Sequence, residues 1–391
     1  MITAFKQFFA SLSLGAALLL AGCGGYEPEA NFEIKPEGKE ATITKYKGNA
    51  LVVKIPPRIG DRTVTKISGA FKENTGLTEV IIPDSVTEIG EQAFQGCTGL
   101  TKVTIPDSVT EIGEEAFKGC TGLTKVTLPG SVKKIGKRAF EGCPGLTGVT
   151  IPDSVTEIGW YAFQETGLTE ITIPGSVKEI GYGAFSCKNL KKVSLSSGVE
   201  SISGFSFCPE LTEITLPNSV KQIGSYAFSG CKNLKKITIP DSVTEIGENA
   251  FDGSGLTEVT IPNSVKKIGN GAFRKTGLTE ATIGAAEIGK EAFSGCKNLK
   301  KITLSEGVTI VQTSAFSETD VTEITIPGSV KEIGCFAFNK SYKLKKVTII
   351  GSAPKIDTWA FDNCNNITEL TVPKDFSSHF WMPRECKVIR K

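Results

Sequence analysis

Residues 82–100 read IPDSVTEIGEQAFQGCTGL, and residues 105–123 read IPDSVTEIGEEAFKGCTGL, the same phrase with two substitutions. Working outward from this pair, Ala-Phe steps recur at Phe71, Phe94, Phe117 and onward to Phe361. They mark fourteen units spaced 20 to 23 residues apart, with Ser206-Phe207 standing for the step in the seventh. A fixed period of this length is the signature of stacked coils, each unable to bury its apolar face alone but sharing one continuous core with its neighbours.

Within one unit the pattern predicts a path. Leu77, Val80 and Ile82 alternate with mostly polar residues in the manner of a strand. Pro83 ends that strand because it cannot donate to a continuing ladder, and Asp84-Ser85 supply a turn. Val86 and Ile89 enter the core from a second short extended piece, and Gly90 is expected at positive φ. Residues Glu91 to Gly96 are expected to form one helical or 3-10 turn that drops Phe94 into the centre.

These residues resemble the leucine-rich repeat proteins of the BspA type, whose repeat reads roughly LxxVxIPxSVxxIGxxAFxGCxx. The resemblance covers about residues 41–372. It implies a leucine-rich repeat solenoid of about 14 coils, mostly β with a single core, and a bacterial surface protein of a family in which some members are implicated in adhesion to host proteins or other bacteria. The segment from Ala41 to Phe71 resembles the family's entry module, so 41–69 is read as an N-terminal β cap and 70–372 as the solenoid. Past Pro373 the pattern stops, and 373–391 is read as a C-terminal cap whose Phe376, Phe380 and Trp381 cover the last coil.

The N-terminus carries a different message. Lys6 followed by an apolar run from Phe8 to Ala21 is too short for a comfortable membrane span and reads as a secretory signal over 1–22. Leu20-Ala21-Gly22-Cys23 resembles the bacterial lipobox, which implies acylation of Cys23 and attachment to a membrane. Gly24, rather than Asp, after that Cys points by analogy away from retention at an inner membrane, toward the outer membrane or cell surface. Residues 23–40, rich in Gly, Pro, Glu and Lys, are read as a lipid-anchored flexible tether.

Composition narrows the function. The 44 Lys and Arg nearly balance 42 Asp and Glu, which gives no footprint for nucleic acid. The single histidine, His379, removes multi-His zinc sites and His-based triads. Cys97, Cys120, Cys143, Cys231, Cys296 and Cys364 each follow their Phe by three residues, so they form a column. Buried thiols, disulfides between coils and zinc are three readings of it; side chains running parallel strain a disulfide, and no CxxC pair closes a zinc shell.

Other columns read as surface. Glu79, Lys102, Lys125 and their equivalents to Glu369 place largely alternating charges on the strands, which neighbouring coils can pair. Beside them Thr104, Thr127 and Thr150 begin a hydroxyl ladder, but the charged column breaks the uniform surface that ice binding needs. The Asp84, Asp107, Asp153 and Asp241 turns would stack carboxylates for calcium, yet Gly130 and Gly175 interrupt the row. No unit departs from the pattern to make a cleft holding two carboxylates, so nothing points to an enzyme or a cofactor.

Where the units differ is more informative. After the Gly that follows Ile, most units carry polar residues, whereas the fifth has Trp160-Tyr161, the sixth Tyr182 and the eighth Tyr226, with Phe205 in the irregular seventh. Clustered Trp and Tyr commonly anchor interfaces, which makes Trp160, Tyr161, Tyr182, Phe205 and Tyr226 a candidate patch for a protein or glycan partner. The competing reading is that they fill gaps left by the seventh coil. Phe336 and Trp359 are taken as local packing. The functional expectation is an adhesive envelope lipoprotein, with a structural or spacer role as the alternative.

Overall fold

The computed structural model describes residues 25–374, 376, 380 and 383–391; Cys23 and the signal segment lie outside the described residues. The chain winds as a β-solenoid of about 16 turns, fourteen repeat coils between two capping turns. Two sets of parallel strands line it. Longer strands such as Glu79–Ile81 and Lys102–Thr104 build one, and two-residue strands such as Glu88–Ile89 and Glu111–Ile112 build the other.

Each coil contributes a Phe to a stack along the axis, with neighbouring rings nearly parallel; Phe117 and Phe140, for example, have centroids 5.2 Å apart at 2°. These rings are fully buried, as are short-strand residues such as Ile89, Ile112 and Ile135. Burying a ring of this size is worth roughly 2 to 3 kcal/mol, and stacked aromatic pairs add about 1 kcal/mol more. The column, with the buried Leu, Val and Ile beside it, therefore contributes to cohesion between coils.

The corner that carries this Phe is not a helical turn. Its N–H groups alternate in direction: Gln92, Phe94 and Gly96 donate to Glu114, Ala116 and Lys118 of the next coil at 2.9, 2.7 and 2.8 Å, while Gln95 and Cys97 donate back within the coil. Left-handed φ values of 53° at Gln92 and 71° at Gly96 create the alternation. A helix would keep every donor inside the coil and forfeit the ties between coils. Among the described residues the one 3-10 helix is Glu29–Asn31, before the repeats.

Gly90 has no positive φ, contrary to the expectation from sequence. It and its equivalents are required by contact. A Cβ on Gly113 would lie 2.7 Å from the carbonyl carbon of Gly90, and one on Gly136 would lie 2.6 Å from that of Gly113. The short-strand ladder packs tightly at this point and continues unbroken through one 17-stranded sheet. The long-strand ladder is interrupted after Thr104, after Thr150 and over residues 234–239. Its core residues are correspondingly less sealed, with Val103 at 8% exposure against none for Ile112.

The N-terminal cap begins earlier than the sequence suggests. Strand β1 (Phe32–Glu37) pairs antiparallel with β2 (Glu40–Tyr46), so residues assigned to a flexible tether form half of a hairpin. Alternation over 32–37 is spoiled by Pro36, which hides the strand from a periodicity reading; an edge position makes that Pro tolerable. Tyr46 lies 5.1 Å from Phe71 and Phe32 lies 5.3 Å from Tyr46, extending the ring column outward. At the other end Phe380 stacks 5.4 Å from Phe361, Phe376 is buried, and Lys387–Arg390 adds a last parallel strand to Glu369–Val372. Trp381 lies outside the described residues.

Candidate binding face on coils five to eight

The seventh coil decides how this face is built. Regular coils run Ile-Gly-x-x-Ala-Phe, but here Ile202 is followed by Ser203-Gly204-Phe205, two residues short. Phe205, not Phe207, therefore takes the core position: it is fully buried, 5.7 Å from Phe185 and 6.0 Å from Phe228. Gly204 stands where other coils have Ala, and a Cβ there would meet Ile180 at 2.5 Å. This corrects the assignment of Phe205 to the surface patch. The clue in the sequence was Cys208, which follows Phe205 by three residues as the other column cysteines follow their Phe.

Phe207 is consequently turned outward, 65% exposed with φ of 54°, at a position where Gly96, Gly119 and Gly142 sit in other coils. A bulky residue in the left-handed region is strained by roughly 1 to 2 kcal/mol. Its ring rims an open groove of about 650 Å³ whose floor includes Gly142, Pro144 and Gly167.

The missing residues also leave a notch between coils six and eight, and tyrosines occupy it. Tyr182 stands edge-on to Tyr161 at 5.4 Å and to Tyr226 at 6.0 Å, although Tyr226 belongs to a coil two steps away. The Arg138 guanidinium lies 5.5 Å from the Tyr161 centroid. Burial, with Tyr161 and Tyr226 adding to it, raises the Tyr182 phenol above its usual range. These three rings are half-buried and pack against one another across the gap.

Trp160 is different. It is 59% exposed at the lip of a trough of about 770 Å³ across coils three to six. Around it Lys137 pairs with Glu114 at 3.0 Å, and Lys134 sits between Glu111 at 3.4 Å and Glu157 at 3.8 Å. Glu111 and then Glu157 hold the Lys134 ammonium above its ordinary range. Trp160 on coil five and Phe207 on coil seven thus border separate depressions.

Phe336 and Trp359 do not pack locally as expected: they are 36% and 50% exposed in adjacent coils. Among the described residues, coils nine to twelve expose no large apolar side chain. Along the solenoid the charged columns pair where neighbouring coils alternate in sign, with Lys102–Glu79 at 2.5 Å, Lys236–Glu258 at 2.7 Å and Lys346–Glu369 at 2.9 Å.

The ten described cysteines are all free thiols. Cys97, Cys120 and Cys143 donate to the carbonyls of Phe71, Phe94 and Phe117 at 3.0, 3.1 and 3.1 Å, each reaching back one coil. In two coils that lack Cys there, Thr166 and Thr276 hold the position and donate instead to Phe163 and Phe273 of their own coil at 2.8 and 2.9 Å. The column is thus a row of small buried side chains, thiols in most coils and hydroxyls in others, with the Ser254 hydroxyl left without a hydrogen-bond partner. Burial pushes the Cys97 and Cys231 thiols up to about 12. No group of three or more metal-ligating side chains occurs among the described residues.

The sequence profile of the BspA type leucine-rich repeat region matches residues 65–186, 111–208, 203–317 and 280–379. The chain belongs to that family. Among solved structures, this BspA-type chain is similar to a leucine-rich repeat protein of Bacteroides ovatus, 29% identical over 92% of this chain and 97% of the other, with a TM-score of 0.68. It also matches a leucine rich cell surface protein of Faecalibacterium prausnitzii, 27% identical over 90% and 96% of the two chains, TM-score 0.43. A third match is the T. pallidum leucine-rich repeat protein, 26% identical over 64% of this chain and 89% of that one, TM-score 0.37. No curated protein matches the sequence.

Proposed function

We propose that this chain is a lipid-anchored solenoid of the bacterial cell envelope that binds a protein or glycan partner through the aromatic residues of coils five to eight, Trp160, Tyr161, Tyr182, Phe207 and Tyr226. The observation that carries the reading is the exposure of Trp160 and Phe207, at 59% and 65%, on coils five and seven, with three half-buried tyrosines on coils five, six and eight. Exposed aromatic rings cost solubility and are typical of interface anchors. Coils one to four, which expose no large apolar side chain, lie between Cys23 and the face and hold it at a distance, so the spacer role is a property of part of the molecule. The lipobox-like Leu20-Ala21-Gly22-Cys23 supports attachment at Cys23, and two or three acyl chains suffice for stable anchoring.

Protease shaving of intact cells tests the placement. The wild type should be removed from whole cells and Cys23→Ala should appear in the medium; protection until the envelope is broken would reverse the surface assignment. Adherence of expressing cells to epithelial monolayers or to other bacteria tests the face. Trp160→Ala combined with Phe207→Ser should abolish adherence at unchanged surface abundance, and full retention would move binding elsewhere.

A further inference from the structure

We infer that the trough beside Trp160 takes an uncharged glycan, a reading that rests on the binding role proposed above and names the chemistry of its ligand. The trough runs across four coils, about 15 Å at strand spacing, which suits a short stretch of an oligosaccharide. One aromatic ring dominates its apolar surface, and Trp160 presents that ring 59% exposed. A sugar stacks its C–H face on such a ring and directs its hydroxyls sideways.

The rest of the lining is suited to hydroxyls. The Lys137–Glu114 pair and the Glu111–Lys134–Glu157 row are already neutralised, yet each group keeps open donor or acceptor positions facing solvent. With Glu179 and Lys178 the trough holds four carboxylates against three ammoniums. An anionic polymer would meet a slight excess of like charge, and a strongly basic one would have to displace existing pairs.

A polypeptide fits less well. Strand addition needs an open sheet edge, but the ladder here is closed, with Gly136 and Gly159 donating to Ile112 and Ile135 of preceding coils at 2.7 and 2.8 Å. Ile158 is buried and offers no second apolar anchor.

The test is affinity electrophoresis of the full-length protein, in a detergent without a sugar headgroup, through gels containing β-glucan, xyloglucan or galactomannan, with polygalacturonate and heparin as charged comparisons. At least one neutral polysaccharide should retard the wild type, and raising salt from about 0.05 to 0.5 M should leave the retardation within about twofold. Trp160→Ala should weaken it by about tenfold or more, and Trp160→Phe should restore most of it. The exposed position leaves folding intact, which an unchanged thermal midpoint verifies. Retardation by the charged polymers alone, by none of the panel, or equally in Trp160→Ala overturns the inference. If adherence still depends on Trp160 while the panel is blank, the binding face stands and only the glycan assignment falls. Protection from protease on intact cells removes the surface reading whatever the gels show.

Discussion

Phe163 and Phe205 occupy equivalent places in the ring column, while Phe207 stands outside it with its backbone in the left-handed region. Replacing Phe163 or Phe205 by Ala should cost about 3 to 5 kcal/mol through the cavity left between rings. Phe207→Gly should stabilise by about 1 kcal/mol by relieving backbone strain, so urea unfolding of the three variants separates core from surface. The Ala-Phe rule located Phe163 from sequence but misplaced Phe205, because a two-residue deletion shifts register without changing composition. Ser206-Phe207 imitates the missing step. A buried thiol gives a second prediction at this scale. Cys231 has its pKa raised from 9.0 to about 12 by burial, so above pH 9 the unfolded chain loses a proton that the native state keeps. Its stabilising share is complete below pH 9 and is lost as pH rises toward 12, with a limiting slope of about 1.4 kcal/mol per pH unit for one proton. Cys231→Ser, which keeps a donor as Ser341 does in its own coil, should make the alkaline decline shallower by about one proton. An unchanged slope would show that this thiol is not shielded in the native state.

At the scale of the element, the two ladders respond differently to the same substitution. Gly136 lies in the tight ladder with no room for a methyl group, so Gly136→Ala should destabilise by about 1 to 3 kcal/mol through displaced backbone. Gly148 sits exposed in the other ladder with open space around its Cβ direction and no left-handed φ. Gly148→Ala should gain about 0.5 kcal/mol, since an alanine loses less entropy on folding. Equal effects at the two glycines, measured by denaturant midpoints, would contradict the asymmetry between ladders. The sequence revealed both strands of each coil through Val80, Ile82, Val86 and Ile89. It gave the wrong reason for Gly90 because a glycine needed for contact and one needed for positive φ are spelled alike; only the distance to the neighbouring coil distinguishes them. The corner at 91–96 was misread as helical for a related reason, since its hydrogen bonds run to a neighbour 22 residues away and leave no local signal.

For the whole molecule, stability is a sum over coils and the interfaces between them, closed at each end. Removing residues 240–261 joins Ile239 to Pro262 and keeps the register of every column. That variant should fold, keep its circular dichroism per residue, and lose urea m-value only in proportion to the surface removed. Removing residues 25–49 instead takes away β1, β2 and Tyr46, leaving the ring of Phe71 and the first strand of the short ladder uncovered. Although it deletes a similar length, this variant should bind a hydrophobic dye and aggregate, because an open ladder end offers unpaired donors and acceptors beside an apolar core. The sequence announced the interior of the solenoid through repetition, but a cap is by nature the part that does not repeat, and β1 is further disguised by Pro36. If the shortened solenoid unfolded while the uncapped one stayed soluble and cooperative, cohesion would reside in the particular coils removed rather than in the columns that run through all of them.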